Sequence, residues 1–451
     1  MPENVNIMDI EELGRYMFVR PCYPKLWGRI NDVLKSGSRR RFIIKGIPGI
    51  GKTTFLYYIL HKLIKLKKSV VFEDFKGLMF LVQPDGKVYK GKRGDPVFEQ
   101  PLADPNAYYL FNCGGSAGTP TPLIEGVHAV IIAASSPSKD HTQELRKTPS
   151  KVFFMPMWTL SELLLCREEC HLPISIDLVT ENYVKYGGAA RPVFNTDEQD
   201  LEEQYAAVLA SFKLHPEVIL ESVGCADTEE GSHKLLHYNV DENSFETYSI
   251  TLASDYLGDR MCDLNLKAIV ERIATLQTDV EDGSLRGRLF ERFAHRVLKL
   301  GKTAFGDRLM MSPFAGGNRK QIPEVTGHDE NLHIRLIGDL PNCTASNAGV
   351  YLMPEVRNFP VVDSLVLPRT GYQITVSPTH ELNVASLTAL LKKLKCTKKE
   401  KFQLVWVVPA DVEFKCSSIS NATISSCVEQ FVLKLPLQVP PSLIKTPPSL
   451  F

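Results

Sequence analysis

Apolar positions in the first part of the chain fall into short unbroken runs separated by a longer periodic stretch. Arg41-Phe42-Ile43-Ile44-Lys45, Ser69-Val70-Val71-Phe72-Glu73, Ala107-Tyr108-Tyr109-Leu110-Phe111-Asn112 and Ala129-Val130-Ile131-Ile132-Ala133-Ala134 are apolar at consecutive positions, as strands covered on both faces require. Between the first two, Phe55, Leu56, Ile59, Leu60, Leu63, Ile64 and Leu66 recur at helical spacing from Thr53 to Lys68, and Lys62, Lys65, Lys67 and Lys68 suit the negative end of that helix. Phe80-Leu81-Val82-Gln83 and Lys87-Val88-Tyr89 flank Asp85-Gly86 and read as a hairpin. The pattern predicts an α/β unit over residues 1–185, with a parallel sheet whose carboxyl edge receives a ligand.

From 186 to 283 the pattern turns helical and polar, which predicts a helical lid or linker. Ser284 opens a strongly periodic helix, and strands mixed with helices continue to 435 as a second α/β domain. Residues 436–451 are proline-rich and read as an extended or disordered tail. A chain of 451 residues accommodates roughly two or three domains of this kind.

With 52 basic and 52 acidic residues the formal charge is zero, so a nucleic-acid surface has to be a local patch. The stretch Met1 to Met17 carries acids and lacks the apolar core of a secretory signal, and no run approaches the length that spans a bilayer; the expectation is a soluble chain with no membrane partner. The 10 cysteines form no CxxC pair, which suits free thiols in a reducing compartment. Cys166, Cys170 and His171 are close in sequence but lack a second ligand pair, and read as packing residues.

Between the first strand and the periodic helix stands Gly46-Ile47-Pro48-Gly49-Ile50-Gly51-Lys52-Thr53. Gly46, Gly49 and Gly51 allow a tight turn whose N–H groups line a concavity matching phosphate oxygens, and the helix that follows aims its positive end at the same anion. Lys52 would bridge the β- and γ-phosphates, the Thr53 hydroxyl would ligate Mg²⁺, and Thr54 follows in the same helical turn. The pattern points to a nucleoside triphosphate, ATP, with Mg²⁺. Hydrolysis usually needs a strand ending in a carboxylate, whereas here the strand ends Asn112-Cys113, so binding is better supported than turnover. Glu73 and Asp74 end the neighbouring strand and are the alternative acids. Ser136, in Ser135-Ser136-Pro137, falls where a γ-phosphate sensor belongs, and Arg191, after Gly187-Gly188-Ala189-Ala190, can reach the phosphates from the lid side.

Phe18-Val19-Arg20-Pro21-Cys22-Tyr23, the phosphate loop, Ser135-Ser136-Pro137, Met157-Trp158-Thr159-Leu160-Ser161-Glu162-Leu163 and Tyr186-Gly187-Gly188-Ala189-Ala190-Arg191-Pro192 occur in that order. Together they resemble the triphosphatase module of Crinkler effectors and trypanosomal retrotransposon-hot-spot proteins. Leu285-Arg286-Gly287-Arg288-Leu289-Phe290-Glu291, Asn358 to Ser364 and Tyr372 to His380 resemble the restriction-endonuclease-like domain of that family. The resemblance runs from about Tyr16 to about Pro409. It implies phosphate contacts at Lys52 and Thr53, a sensor at Ser136, an arginine at Arg191, and Asn112 in the place of the magnesium acid. It also implies a secreted protein acting in a host nucleus, although no secretion header precedes the module; a cytoplasmic location is the alternative.

In the second domain, Glu291 borders the buried stripe of its helix, Asp363 interrupts an apolar strand, and Gln373 and Thr375 share one face of the partner strand. Endonucleases of this fold place an acid and a lysine where Gln373 and Thr375 stand. A simple four-residue loop, Pro368 to Gly371, points Asp363 and Gln373 to opposite faces, so an odd-length loop or a bulge is needed to unite them. Asp363 and Glu291 are the expected metal ligands, and His380-Glu381 an alternative source of chemistry. Lys392, Lys393, Lys395, Lys398, Lys399 and Lys401, with Arg39-Arg40-Arg41, are the expected nucleic-acid contacts. The expectation is an ATP-binding module regulating a metal-dependent DNA endonuclease. The rival is a non-catalytic switch that docks on DNA or a host nuclear protein; a small-molecule kinase accounts for the loop but not for the second half.

Overall fold

The computed structural model describes residues 16–113, 121–135, 145, 147–215, 232–276, 283–301, 304–305, 309–314, 316–328, 334, 336–342, 344, 346–354, 359–416, 419, 421–440 and 443. The chain is a mixed α/β protein of two compact units, Met1–Arg260 and Met261–Phe451. That division falls inside the 186–283 stretch expected as a lid.

In the first unit a sheet has the order β4-β3-β2-β5-β6-β1-β7. Its strands are β1 (Arg41–Lys45), β2 (Val70–Glu73), β3 (Leu78–Val82), β4 (Val88–Lys92), β5 (Tyr108–Asn112), β6 (Val130–Ser135) and β7 (Ser150–Phe154). The five strands β2, β5, β6, β1 and β7 run parallel. The hairpin β3–β4 pairs Val82 with Val88 and closes through Gly86 at φ 86°. Ile43, Val71, Met79, Tyr109, Phe111 and Ile131 form a core on one face of the sheet with Phe98 and Leu102. Alternation sends Phe42, Phe72, Leu110 and Ile132 to the other face, where the Lys52–Lys65 helix buries Phe55, Leu56, Ile59, Leu60 and Leu63, and Tyr57 stacks on Phe72. Each such side chain contributes roughly 1.5–3 kcal/mol by leaving water, so the helix start, and the loop before it, are anchored by packing rather than by propensity.

The stretch after Tyr186 is not purely helical. Helices Ala190–Val193, Glu198–Leu214 and Ser232–Leu235 are followed by an antiparallel pair, β8 (Leu236–Val240) and β9 (Tyr248–Leu252).

The second unit is built on a sheet of order β11-β10-β19-β17-β15-β14-β13-β12. Central to it are β13 (Val350–Leu352), β14 (Ser364–Val366), β15 (Thr370–Ile374), β17 (Phe402–Pro409) and β19 (Val428–Leu435), with β10 (Met310–Pro313), β11 (Lys320–Gln321) and β12 (Gly327–His328) towards its edges, while β16 (Thr379–His380) and β18 (Lys415–Cys416) pair separately. β15, β17 and β19 are parallel, whereas β13–β14 and β14–β15 are antiparallel. Leu365, Leu367, Phe402, Leu404 and Trp406 form one core with Leu387, Leu390, Leu391 and Leu394 of the Val384–Lys393 helix. The Gly283–Leu300 helix buries Leu285, Leu289, Phe290, Phe293, Ala294, Val297 and Leu298, the periodic stripe visible in the sequence. Among the described residues no helix is long and apolar enough to cross a membrane.

Candidate functional site

The phosphate loop leaves the carboxyl end of β1, which lies between β6 and β7. Gly49 and Gly51 have φ of 80° and 96°, values that strain any residue with a Cβ. Space excludes one as well: a Cβ on Gly49 would lie 2.9 Å from the Arg191 Cβ, and one on Gly51 2.5 Å from the Tyr23 hydroxyl oxygen. Lys52 Nζ donates to the carbonyls of Gly46 at 2.7 Å and Ile47 at 2.8 Å, so the ammonium is held over the loop. Burial pushes Lys52 down to about 7, and the nearby Arg191 guanidinium adds to the effect. An anion in the cradle reverses both influences.

Thr53 Oγ1 donates to Asn112 Oδ1 at 3.1 Å, which joins the helix start to the end of β5. The Thr54 hydroxyl is engaged with Tyr23. Arg191 stands in the first turn after Gly187-Gly188, and the Ala190 N–H donates to the Gly49 carbonyl at 3.1 Å. Thus Gly46, Gly49, Gly51, Lys52, Thr53, Asn112 and Arg191 come together, while Ser136 lies outside the described residues. The cradle, the lysine and the Thr53–Asn112 pair fit a Mg²⁺-bound triphosphate; Thr53 would be the ligand and Asn112 an uncharged neighbour.

Neither Glu73 nor Asp74 substitutes for Asn112. Burial pushes the Cys113 thiol up to about 12, so it keeps its proton at neutral pH. Glu73 is fully buried, accepts from Arg93 Nε at 2.6 Å and from the Tyr109 hydroxyl at 2.5 Å, and is thereby committed to the sheet. Asp74 Oδ1 accepts from the N–H groups of Lys76 and Leu78, both at 2.8 Å, and closes the β2–β3 turn.

Residues without an assigned role in the sequence surround the loop. Burial pushes the His233 imidazole down to about 4, with the charges of Lys234, Lys52 and Arg191 contributing. Its four-residue helix gives no pattern from which to read this. Arg20, Tyr23 and Trp158 donate to carbonyls of the loop's backbone.

In the second unit Asp363 and Gln373 meet. β14 and β15 pair Ser364 with Tyr372 and Val366 with Thr370, so the turn is the three-residue Leu367–Arg369 rather than Pro368 to Gly371. This odd length places Asp363 opposite Gln373. Gln373 Nε2 donates to Asp363 Oδ2 at 2.9 Å, and the Ile374 N–H donates to the same oxygen at 2.6 Å. Burial nevertheless pushes the Asp363 carboxyl up to about 7, aided by the charge of Glu291 and opposed by Arg288. Glu291 accepts from Arg288 at 3.1 Å and lies 4.0 Å from His295 Nε2. Behind it, His295 Nδ1 is 2.6 Å from the Tyr351 hydroxyl, which donates to Ser364 Oγ at 2.8 Å. Thr375 Oγ1 accepts from the Ser377 N–H, and His380 packs on Trp406.

This donor set does not fit a divalent cation as arranged. One oxygen of Asp363 is taken by two donors, its carboxyl is only about half ionised at pH 7, and Glu291 is turned to Arg288. Among the described residues no group of three or more His, Cys, Asp and Glu side chains is placed to hold a metal.

The lysine cluster is not at this site. Lys392, Lys395, Lys398 and Lys399 are exposed, Lys393 donates to the Gly338 carbonyl, and all precede β17. Gln403 pairs with Thr370, and Arg369 is bridged to Glu400 at 2.9 Å, so the lysines flank the Thr370 end of β15 while Gln373 and Thr375 lie at its other end. Arg40 likewise donates to the Pro105 carbonyl at the start of β1, the end away from the phosphate loop.

No protein-family model matches the chain. It is similar to Crinkler effector protein 15 and Crinkler effector protein 16 of Phytophthora infestans, each 24% identical over 387 residues. The match covers 83% of this chain and 61% and 60% of those proteins, so the chain spans about three fifths of the length of the curated relatives it matches. Among solved structures, the Thermotoga maritima RuvB Holliday junction branch migration motor matches with a TM-score of 0.25 at 11% identity, over 68% of this chain and 93% of that one. AMPPCP-bound DnaA from Aquifex aeolicus matches with a TM-score of 0.27 at 11% identity, over 63% and 91%. Likenesses at such TM-scores carry no argument.

Proposed function

We propose that this chain is a Crinkler-type effector whose amino-terminal unit is a P-loop domain that binds ATP with Mg²⁺ and hydrolyses it slowly. One observation carries the reading: an eight-residue phosphate-loop motif in which Gly49 and Gly51 take a backbone conformation that disfavours any side chain, with Lys52, the Thr53–Asn112 pair and Arg191 converging on it. Mg²⁺ would neutralise the β- and γ-phosphate charge. The chain's own part is to orient the phosphates with the loop N–H groups and Lys52, and to hold Thr53 through Asn112. Asn112 and Cys113 supply no base, which leaves binding as the principal activity.

For the carboxyl-terminal unit the expected reading is a restriction-endonuclease-like domain acting on host nuclear DNA. The engaged Asp363 and the absence of a lysine at Thr375 favour the rival, a domain that binds DNA or a host nuclear protein through its lysine-rich end without cutting it. Secretion and nuclear entry belong to the same proposal. The test is purified protein with ATP, Mg²⁺ or Mn²⁺ and supercoiled plasmid. Tight ATP binding, slow phosphate release and salt-sensitive DNA retention without nicking are expected. Nicking that disappears in a folded Asp363→Ala protein would restore the endonuclease reading, and absence of ATP binding would overturn the first.

A further inference from the structure

We propose that Arg20, Tyr23 and Trp158 are positioning residues of the phosphate site, holding the successive Ile50 and Gly51 carbonyls outward, next to the Gly49 carbonyl held by the Ala190 N–H, so that the N–H groups behind them face the ligand. The inference rests on nucleotide binding at this loop and goes beyond it by naming what presets the cradle. In a trans peptide the C=O and the following N–H point in opposite directions. Fixing the carbonyls of Gly49, Ile50 and Gly51 therefore fixes the N–H groups of Ile50, Gly51 and Lys52. Each carbonyl has a donor from outside the loop. Gly49 accepts from the Ala190 N–H at 3.1 Å. Ile50 accepts from Arg20 at 3.0 Å and from the Trp158 indole N–H at 3.0 Å. Gly51 accepts from the Tyr23 hydroxyl at 2.8 Å as well as from the Phe55 N–H at 2.9 Å.

The burial of the donors marks this as a built device. Arg20 is 1% exposed and Tyr23 0%. The guanidinium also donates to the Pro156 and Met157 carbonyls, both at 2.9 Å, pairs with Glu162 at 3.3 Å, and lies 4.3 Å from the Trp158 ring centroid. A cation so deep is costly unless its donors are used, and here they are used on backbone oxygens in and behind the loop. Trp158 performs a second task. Its backbone N–H donates to the Gly188 carbonyl at 2.9 Å, and a Cβ on Gly188 would come within 2.2 Å of the Trp158 carbonyl oxygen. One residue thereby ties the loop to the turn that carries Arg191, so the arginine is placed with the cradle rather than brought to it.

The test uses, in the full chain, Tyr23→Phe, which removes the hydroxyl donor and keeps the ring, and Trp158→Phe, which removes the indole donor and leaves a smaller aromatic ring; Arg20→Ala is avoided because it strands buried carbonyls. Affinity for ATP and for inorganic tripolyphosphate is measured alongside melting temperature and hydrogen exchange of the 46–53 peptide. Each variant is expected to lose roughly five- to tenfold in affinity for both ligands, the worth of about one hydrogen bond. Exchange should quicken in 46–53 but not in β5 or β6. Exchange that quickens uniformly across the sheet, or unchanged affinity in the variants, would overturn the proposal. A wild type that binds neither ligand would instead remove the nucleotide reading on which it rests.

Discussion

Asp363 and Gln373 face each other across the β14–β15 hairpin, with Gln373 Nε2 2.9 Å from Asp363 Oδ2. The contact exists because the turn has three residues, and it gives a largely buried carboxyl an internal partner. Burial still outweighs the two hydrogen bonds, which is why the carboxyl is pushed up from 3.8 to about 7.

A carboxyl raised in the folded state holds its proton to higher pH than in the unfolded chain. Stability is therefore lost as pH rises from about 4 to about 7, with an upper bound of about 4 kcal/mol for a displacement of this size. Asp363→Asn keeps the acceptor and removes the titration. Measured in EDTA, the variant's melting temperature should gain on the wild type from about pH 4 to about pH 7 and level off above it. Parallel curves would show that Asp363 is ionised throughout.

Lys52→Ala removes the cation held over the Gly46 and Ile47 carbonyls. Calorimetric titration should show ATP affinity falling at least a hundredfold, because the lost contact is a charge-assisted one to phosphate. The melting temperature should stay within a few degrees, since both partners are carbonyls that water can satisfy. Retained affinity would remove the lysine from the site.

Asn112→Asp places a carboxylate beside Thr53 without changing shape. Phosphate release should accelerate roughly tenfold or more, the scale on which one electrostatic group acts in such sites. Rapid wild-type turnover would mean that another acid already fills the role.

Glu73 is not that acid. Its two oxygens serve Arg93 and Tyr109, so Glu73→Gln should cost about 1–3 kcal/mol in denaturant unfolding and leave phosphate release unchanged. A tenfold loss of turnover in a stable variant would reverse the assignment.

How far the chain could be read depends on how local each determinant is. The parallel strands were legible because burial on both faces leaves runs such as Val130 to Ala134 with no polar break. The loop was legible because its chemistry lies in eight consecutive residues. Arg20 was not: its acceptors and partners are 30 to 142 residues away. The β8–β9 pair was missed because His237 and Asn239 interrupt Leu236 to Val240, and His237 is buried by tertiary packing rather than by pattern. The Asp363–Gln373 register turned on whether the loop had three residues or four, and Thr370 extends β15 through pairing with Val366 and Gln403.

The lysines before Phe402 and the Asp363–Gln373 pair occupy opposite ends of the same strands. Trp406 is the register partner of Gln373, and from Phe402 to Trp406 a strand rises about 13 Å. Nucleic acid rises about 3.4 Å per base pair along its axis. A duplex that touches both ends has to lie lengthwise for about four base pairs or more, whereas a dinucleotide reaches one end alone. If the lysine-rich end binds nucleic acid as proposed, the length of the oligomer, rather than its sequence, is what would separate attachment at the lysines from arrival at the acid.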